Sequence, residues 1–282
     1  MKQTHTISLE QCELGKKAEY NPHYNPDVLF AIPRQSKRDE IGIHDPLPFV
    51  GFDIWNHYEV SWLNEKGKPI AAIAEIVYPC ESKNIIESKS MKLYFNSFNN
   101  TVFKDIETLQ SIIIKDLSSR VGLPVVVKIT DLIDAKSGQF TFCMDGVCLD
   151  ALDVACSIYT VHADFLSTEP AAGVVEEVLF SNLLKSNCLV TNQPDWASVQ
   201  IRYKGNKINH EGLLKYLVSF RNHNEFHEQC IERIFVDIMR KCEPEKLAVY
   251  GRYTRRGGLD INAYRGTSNI KPCVDNIRLI RQ

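Results

Sequence analysis

A single cysteine, Cys188, lies seven residues before an acidic residue, Asp195, in the segment LLKSNCLVTNQPDWA. A thiolate can attack an electrophilic carbon, and a carboxylate nearby can take the thiol proton and deliver it again. His227 and Glu228 form a second candidate pair at the start of an apolar-periodic stretch. Glu228 could accept two hydrogen bonds, and histidine ionises near neutral pH. The alternatives are structural: a buried thiol, and a core histidine with its partner.

An amphipathic helix is predicted to position the His227–Glu228 pair. Its apolar residues share one face at about 100° per residue, and they are Phe226, Cys230, Ile231, Ile234, Phe235, Ile238 and Met239. His227 falls near the middle of that face in the first turn, and Glu228 falls on its flank. We expect Asn222 or Asn224 to cap this helix, and Glu225 and Glu228 to suit its positive end.

The helix belongs to an internal repeat, which aligns without a gap at an offset of 122 residues. The alignment matches Tyr94, Ser97, Phe98 and Asn100 with Tyr216, Ser219, Phe220 and Asn222. A strand, a tight turn at glycine and a second strand are predicted at 63–70 and again at 202–208, with β-rich runs at 123–132 and 247–258. Chance similarity of amphipathic helices is the alternative. Because the first copy carries Asp105 and Ile106 where the second carries His-Glu, we expect one site per chain.

Length and composition favour an ordinary globular protein. The 282 residues suit two domains, and the net charge of -2 gives no overall basic field for nucleic acid. No apolar run reaches the roughly 18 residues of a membrane span, and the N-terminus lacks the apolar core of a secretory signal. The nine cysteines, at irregular spacings, therefore predict reduced cytoplasmic thiols. Cys143 and Cys148 lack the second ligand pair of a zinc site.

Neither the Rossmann nor the P-loop fingerprint occurs, so any phosphate must be held by side chains or by other backbone amides. Two cationic places stand out: Lys89 with Lys92, and the arginine pair at 255 and 256, which precedes two glycines. A solvated surface charge is the alternative for each. The glycines favour a close backbone approach to a ligand at the second place.

Four segments together resemble the nitrile reductases of queuosine biosynthesis, the QueF family. In the family's order they are ESKSMKLYFNSFN (87–99), SNCLVTNQPDWA (186–197), SFRNHNEFHE (219–228) and RRGGLDIN (255–262). The resemblance covers nearly the whole chain and is to the long, duplicated form. It implies an α+β fold of tandem tunnelling-fold (T-fold) units, with antiparallel sheets and helices on one side. We expect the units to be residues 1–150 and 151–282.

The resemblance also implies an activity. Family members reduce 7-cyano-7-deazaguanine to 7-aminomethyl-7-deazaguanine with two NADPH. Cys188 would be the nucleophile, Asp195 the proton donor, and His227 and Glu228 the substrate contacts. By the same resemblance, Ile86, Glu87 and Ser88 would also contact the substrate. NADPH would be held by Ser88, Lys89, Arg256 and Gly257. Residues of the two halves could then share a site only if the halves pack together.

The chemistry of this reaction needs such groups. Thiolate addition turns a nitrile into a thioimide, which accepts hydride more readily. Asp195 can pass the thiol proton to the nitrile nitrogen, and His227 can supply protons during reduction. Glu228, with Glu87 as a second acceptor, suits the N–H groups of a guanine-like edge, and paired arginines suit a 2′-phosphate.

Two other functions stay open on the sequence. A pterin or GTP enzyme of the same fold, such as a cyclohydrolase or a dihydroneopterin aldolase, shares the purine-anchoring glutamate. A cyclohydrolase would be expected to display metal ligands, however, and the Cys188–Asp195 pair would lack a role. The second is a duplicated binding protein with incidental thiols. For the nitrile reductase we expect a cytoplasmic homodimer with no metal, no membrane contact and no direct nucleic-acid partner.

Overall fold

The computed structural model describes residues 21–133 and 140–282. The chain forms two compact units, and each is described by itself. The described residues of the first unit are 21–36, 55–133 and 257–259; those of the second are 37–54, 140–256 and 260–282. Residues 37–54 and 140–150 thus belong to the second unit. The predicted division into duplicated domains at residue 150 stays a prediction.

The described residues form both α-helices and β-strands. The helices are α1 (Gln35–Glu40), α2 (Ser88–Asn96), α3 (Ile106–Val121), α4 (His210–Ser219) and α5 (His227–Cys242). The strands are β1 (Ala31–Pro33), β2 (Val50–Leu63), β3 (Pro69–Pro79), β4 (Asn84–Ile86), β5 (Val126–Asp131), β6 (Phe140–Thr141), β7 (Val147–Cys148), β8 (Val174–Asn187), β9 (Pro194–Asn206), β10 (Lys246–Tyr253), β11 (Leu259–Gly266) and β12 (Arg278–Leu279). Within 21–133 and 140–282, no helix is long and apolar enough to cross a membrane.

The first unit contains the strand order β5–β3–β2 and the helices α2 and α3. The predicted turn between β2 and β3 is confirmed: Asn64 N donates to Lys68 O at 2.9 Å, and Gly67 has a φ of 74°. The β-rich run predicted at 123–132 contains β5, which pairs antiparallel with β3. Short strands β1 and β4 form a separate antiparallel pair that leads into α2.

The second unit contains the order β11–β10–β9–β8–β7, in which the long strands are antiparallel and the short β7 is parallel to β8. Helix α5 packs on β10 and β9. The predicted α+β class of antiparallel strands with helices is confirmed. The predicted hairpin at 202–208 is wrong, because β9 runs through Gly205. A Cβ there would lie 2.9 Å from Pro244 Cα, so close packing rather than a turn requires this glycine.

The identities in the repeat correspond to equivalent hydrogen bonds. Tyr94 OH donates to Asp116 and Tyr216 OH donates to Asp237, each at 2.7 Å, so in each unit the short helix is tied to the long one. The serine three residues after each tyrosine donates back to the tyrosine carbonyl at 2.6 Å. Helices α3 and α5 correspond at an offset of 121 residues, so the gapless alignment is wrong by one residue within the helices.

The start of α5 also differs from the prediction. The N-cap is Phe226, with no side-chain cap, so the expected cap by Asn222 or Asn224 is wrong. Asn224 instead donates to Asn192 in the β8–β9 turn. By contrast, the N-cap of α3 is Asp105, whose side chain accepts from Thr108 N, as is usual for helix starts.

A buried carboxylate on α5 fixes this helix within the second unit. Glu232 accepts hydrogen bonds from Arg38 at 2.7 and 2.9 Å and from Arg265 at 2.9 and 3.1 Å. Arg265 also donates to Asp53 at 2.8 Å. The side chains of Glu232, Arg265 and Asp53 are fully buried. Such a network is stable only when each charge is compensated by hydrogen-bonded partners.

Glu232→Ala should therefore destabilise the protein by roughly 3–5 kcal/mol, because two buried guanidinium groups lose their shared carboxylate. Urea unfolding at neutral pH measures the loss. The control is Glu245→Ala, which removes an exposed partner of Lys204 at 2.6 Å. An exposed ion pair contributes about 0–1 kcal/mol, so equal losses in the two variants would contradict the assigned role of Glu232.

Candidate active site

Cys188 is the first residue of the turn that joins β8 to β9. Cys188 N donates to Gln193 O at 2.8 Å, which extends the ladder by one residue beyond the strand ends. In the same register, Ser186 lies opposite Asp195. Side chains two residues apart along a strand point to the same face. The register therefore makes Cys188 and Asp195 diagonal neighbours on one face of the hairpin, and Cys188 is a partly exposed residue with a free thiol.

The residue before Cys188 connects this hairpin to the start of α5. Asn187 N donates to His223 O at 2.8 Å, and Glu225 N donates to Asn187 O at 3.1 Å. The segment immediately before α5 thus runs parallel to the end of β8. This pairing positions His227, in the first turn of α5, next to the hairpin.

Asp195 is the centre of the charged cluster in the second unit. It is 3% exposed, with His227 Nε2 3.4 Å from its Oδ2 and Arg256 Nη1 2.5 Å from its Oδ1. Burial alone would raise the pKa of the Asp195 carboxyl, but His227 and Arg256 outweigh burial and hold the pKa below its ordinary value. Asp195 is consequently a carboxylate at neutral pH and can accept a proton.

The His227 ring is fixed on its other side by Tyr253. The two rings stack with centroids 3.9 Å apart and planes 7° apart, and Tyr253 OH donates to His227 O at 3.5 Å. While Nε2 faces Asp195, Nδ1 has no hydrogen-bond partner in the described part of the chain. Sequence reasoning missed Tyr253, because its contact with His227 spans 26 residues and belongs to no local motif.

Two buried polar residues follow His227 in the first turn of α5. Glu228 and Gln229 are each 2% exposed. A carboxylate in this position is favoured by the positive end of the helix dipole. Neither amide atom of Gln229 has a hydrogen-bond partner among residues 21–133 and 140–282. Buried amides are nearly always hydrogen-bonded, so Gln229 joins the candidate ligand-binding residues, although no sequence motif pointed to it.

In the first unit, the predicted substrate residues are consecutive at the junction of β4 and α2. Ile86 ends β4, and Glu87 is the N-cap of α2. The Glu87 carboxylate accepts from Lys89 N and Ser90 N, each at 2.7 Å, and Ser88 Oγ lies 3.4 Å from Glu87 Oε1. Burial raises the pKa of Glu87 more than these hydrogen bonds lower it. Glu87 therefore already caps a helix and would have to accept from a ligand through its remaining lone pairs.

Gly257 and Gly258 form a bare backbone turn in the first unit, with φ values of 59° and 80°. A Cβ at Gly257 would lie 3.2 Å from Lys92 Nζ, and one at Gly258 would lie 2.4 Å from Glu59 Cδ. His57 Nδ1 donates to Gly258 O at 3.1 Å, and burial lowers the His57 pKa to about 4, so this ring is neutral. Exposed backbone beside an ammonium group suits a phosphate, which would have to share Lys92 with Glu59, since Lys92 Nζ lies 3.4 Å from Glu59 Oε2.

The structure thus brings four predicted residues together in the second unit: Cys188, Asp195, His227 and Arg256, with Glu228 next in the helix. Ile86, Glu87, Ser88, Lys89 and Gly257 lie in the first unit. In neither unit do the described residues include a group of three or more His, Cys, Asp and Glu that could hold a metal ion.

The depressed pKa of Asp195 predicts a pH-dependent contribution to stability. A carboxyl with a lowered folded pKa stabilises the fold above its unfolded pKa of about 3.9, and this contribution is lost as pH falls through the folded pKa. Asp195→Asn should therefore be less stable than the wild type at pH 7, and the difference should shrink on acidification. Urea unfolding at several pH values measures the unfolding free energies of the wild type and of Asp195→Asn. A stability difference between them that grows as the pH falls would contradict this prediction.

Comparisons with known proteins cover nearly the whole chain. Residues 20–129 match the family model described as nitrile reductase, 7-cyano-7-deazaguanine-reductase N-term, and residues 194–271 match a model described as QueF-like protein. The apo crystal structure of an archaeosine synthase QueF-Like covers 35% of this chain and 96% of its own, at 15% identity and a TM-score of 0.31, a likeness too small to carry an argument.

Three curated relatives are named NADPH-dependent 7-cyano-7-deazaguanine reductase. The protein of Legionella pneumophila (strain Lens) is 64% identical over 96% of this chain and 95% of the relative. The protein of Ralstonia nicotianae is 55% identical over 97% of this chain and 99% of the relative. The protein of Dechloromonas aromatica is 54% identical over 95% of this chain and 94% of the relative. With such identity over almost the full length of both chains, this chain belongs to the 7-cyano-7-deazaguanine reductase family.

Proposed function

We propose that this chain reduces the nitrile of 7-cyano-7-deazaguanine to the aminomethyl group of 7-aminomethyl-7-deazaguanine, a step of queuosine tRNA modification. It does so with two NADPH and through a covalent thioimide on Cys188. The main support for the proposal is the position of the Asp195 carboxylate. Asp195 lies on the same face of the β8–β9 hairpin as Cys188, and it contacts His227 of α5. A thiol, a base and a second proton carrier are the groups that addition to a nitrile requires.

The first step is addition of the thiol. Asp195, already ionised, takes the proton of the Cys188 thiol while the sulfur forms a bond to the nitrile carbon. The electron pair of one C–N π bond moves to nitrogen, and Asp195 returns the proton there. The result is a neutral thioimide and a regenerated carboxylate. The position of the ionised Asp195 carboxylate on the same hairpin face as Cys188 supports the role of base in this step.

The later steps convert the thioimide into an amine. NADPH, when bound, supplies the two hydrides that this reduction consumes. After the first, the tetrahedral carbon expels Cys188 as a thiolate and an imine remains; after the second, the amine is complete. The nitrogen already carries the proton that came from the thiol; one further proton completes the amine and another restores the Cys188 thiol, and we assign both transfers to the Asp195–His227 pair. The stacking of His227 on Tyr253, with Nε2 facing Asp195, supports this assignment because it holds the ring in one orientation.

Substrate recognition is assigned to Glu228. Its two carboxylate oxygens can accept from the ring N–H and the exocyclic amine of a guanine-like edge, a two-point contact that discriminates well. Its burial in the first turn of α5 supports the role, since a buried carboxylate makes stronger hydrogen bonds than an exposed one. Glu87 is proposed as a second acceptor, and Ile86 and Ser88 as further substrate contacts.

NADPH binding is assigned to Ser88, Lys89, Arg256 and Gly257. The bare glycine turn and the adjacent Lys92 ammonium support a phosphate at Gly257, because a side chain on either glycine would meet Lys92 or Glu59. Lys92 is added to the proposed set on this ground. A homodimer and a cytoplasmic location also remain predictions.

Cys188→Ala and Cys188→Ser should abolish both turnover and covalent attachment of the nitrile substrate, because no other group would form the thioimide. Intact-protein mass spectrometry, after mixing with 7-cyano-7-deazaguanine in the absence of NADPH, measures attachment. The control is Cys156→Ala, since Cys156 is another partly exposed free thiol; it should gain the substrate's mass as the wild type does. If Cys188→Ala keeps more than a few per cent of activity, the thioimide mechanism is wrong here.

Glu228 and His227 should affect different steps. Glu228→Ala should weaken substrate binding by roughly thirty-fold to 10⁴-fold, because two substrate donors lose their acceptor at about 1–3 kcal/mol each. His227→Ala should bind and form the adduct more nearly as usual, but its reduction should slow by roughly 10²–10⁴-fold. Single-turnover kinetics separate the steps.

The control for this pair is Glu211→Ala, which removes an exposed glutamate from the first turn of α4. Neither binding nor reduction should change in this variant. Loss of affinity in His227→Ala together with loss of only the reduction rate in Glu228→Ala would mean that the two roles are reversed. Unchanged kinetics in both would mean that the pair is structural.

A further inference from the structure

Arg256 contacts two residues of the β8–β9 hairpin. Its Nη1 lies 2.5 Å from Asp195 Oδ1 and its Nη2 donates to Gln193 Oε1. Gln193 is the residue whose carbonyl accepts from Cys188 N. The planar guanidinium fork thus holds the carboxylate and also the residue that pairs with Cys188 across the turn.

We propose that Arg256 is a positioning residue for proton transfer, which keeps Asp195 ionised and aimed along the Cys188 face of the hairpin before any hydride is transferred. This inference rests on the proposed function, since it deepens the role of Asp195 as the base in thiol addition. It assigns Arg256 a task in the half-reaction that needs no NADPH. A residue that only bound the dinucleotide would have no effect on that half-reaction.

Arg256 has few competitors for this role among the groups around Asp195. His227 on α5 faces the other carboxylate oxygen, at 3.4 Å. Lys185 on β8 contributes a favourable charge, but its ammonium donates to Asn187 Oδ1 and Arg221 O, each at 2.6 Å. Tyr253 on β10 is neutral, because burial raises its pKa well above the ordinary value. Among residues 21–133 and 140–282, Arg256 is therefore the permanently charged side chain that forms an ion pair with the Asp195 carboxylate.

The test is the pH dependence of thioimide formation without NADPH. In the wild type, the rate should hold as the pH falls until Asp195 becomes protonated, below its ordinary pKa. In Arg256→Gln, the adjacent positive charge is lost, so the pH at which the rate falls should rise by roughly one to three units. Because Arg256 is partly exposed, we expect a shift near one unit. Arg256→Lys should restore part of the shift.

The control is Lys271→Gln, which removes one positive charge from an exposed position elsewhere in the second unit. Its pH profile should coincide with that of the wild type. An acidic fall at the same pH in the wild type and Arg256→Gln would overturn the inference while the proposed function stands. An equal shift in Lys271→Gln would also overturn it, because net charge rather than contact would then be the cause. Failure of the wild type to form any adduct would overturn the proposed function and the inference with it.

Discussion

The buried Glu232 carboxylate is the contact on which the geometry of the second unit depends. It lies one helical turn after Glu228 on α5 and accepts four hydrogen bonds from Arg38 and Arg265. Apolar contacts tolerate small shifts of a helix, whereas a carboxylate held by two guanidinium forks tolerates very little. The first turn of α5 is thereby fixed, and with it the contact of His227 with Asp195. Removing water from these charges costs free energy that only the complete network offsets.

The two repeats differ in how their long helices begin, and the difference lowers the stability of the helix that bears His227 and Glu228. Asp105 caps α3 with its side chain, whereas Phe226, the equivalent residue before α5, provides no side-chain cap. A missing cap typically costs about 0.5–2 kcal/mol. In exchange, the uncapped turn carries His227 and Glu228. Local rules of helix design are commonly broken where a protein binds or reacts, and the anchoring of α5 at Glu232 lies just beyond the weakened turn.

Sequence reasoning succeeded where the signal is local. The turn at Gly67 and the amphipathic helices follow from residue spacing, whereas the α+β class and the site residues were named from motifs that resemble a family. It failed at Gly205, where a glycine that looked like a turn is required by packing against a distant proline. The contacts of Asp195 with Arg256 and of His227 with Tyr253 were not foreseen. Each joins residues far apart in the chain, and their proximity depends on strand register and helix placement rather than on spacing.

The other roles proposed for the site depend on Cys188 carrying the substrate through a covalent reduction cycle. The most direct measurement is a chase: adduct formed on the wild-type enzyme without NADPH, located by peptide mapping and then mixed with a known amount of NADPH. The mass on the Cys188 peptide should disappear, two NADPH should be oxidised per adduct, and 7-aminomethyl-7-deazaguanine should be released. An adduct that maps to another cysteine, or that persists while NADPH is consumed and amine appears, would contradict this role of Cys188.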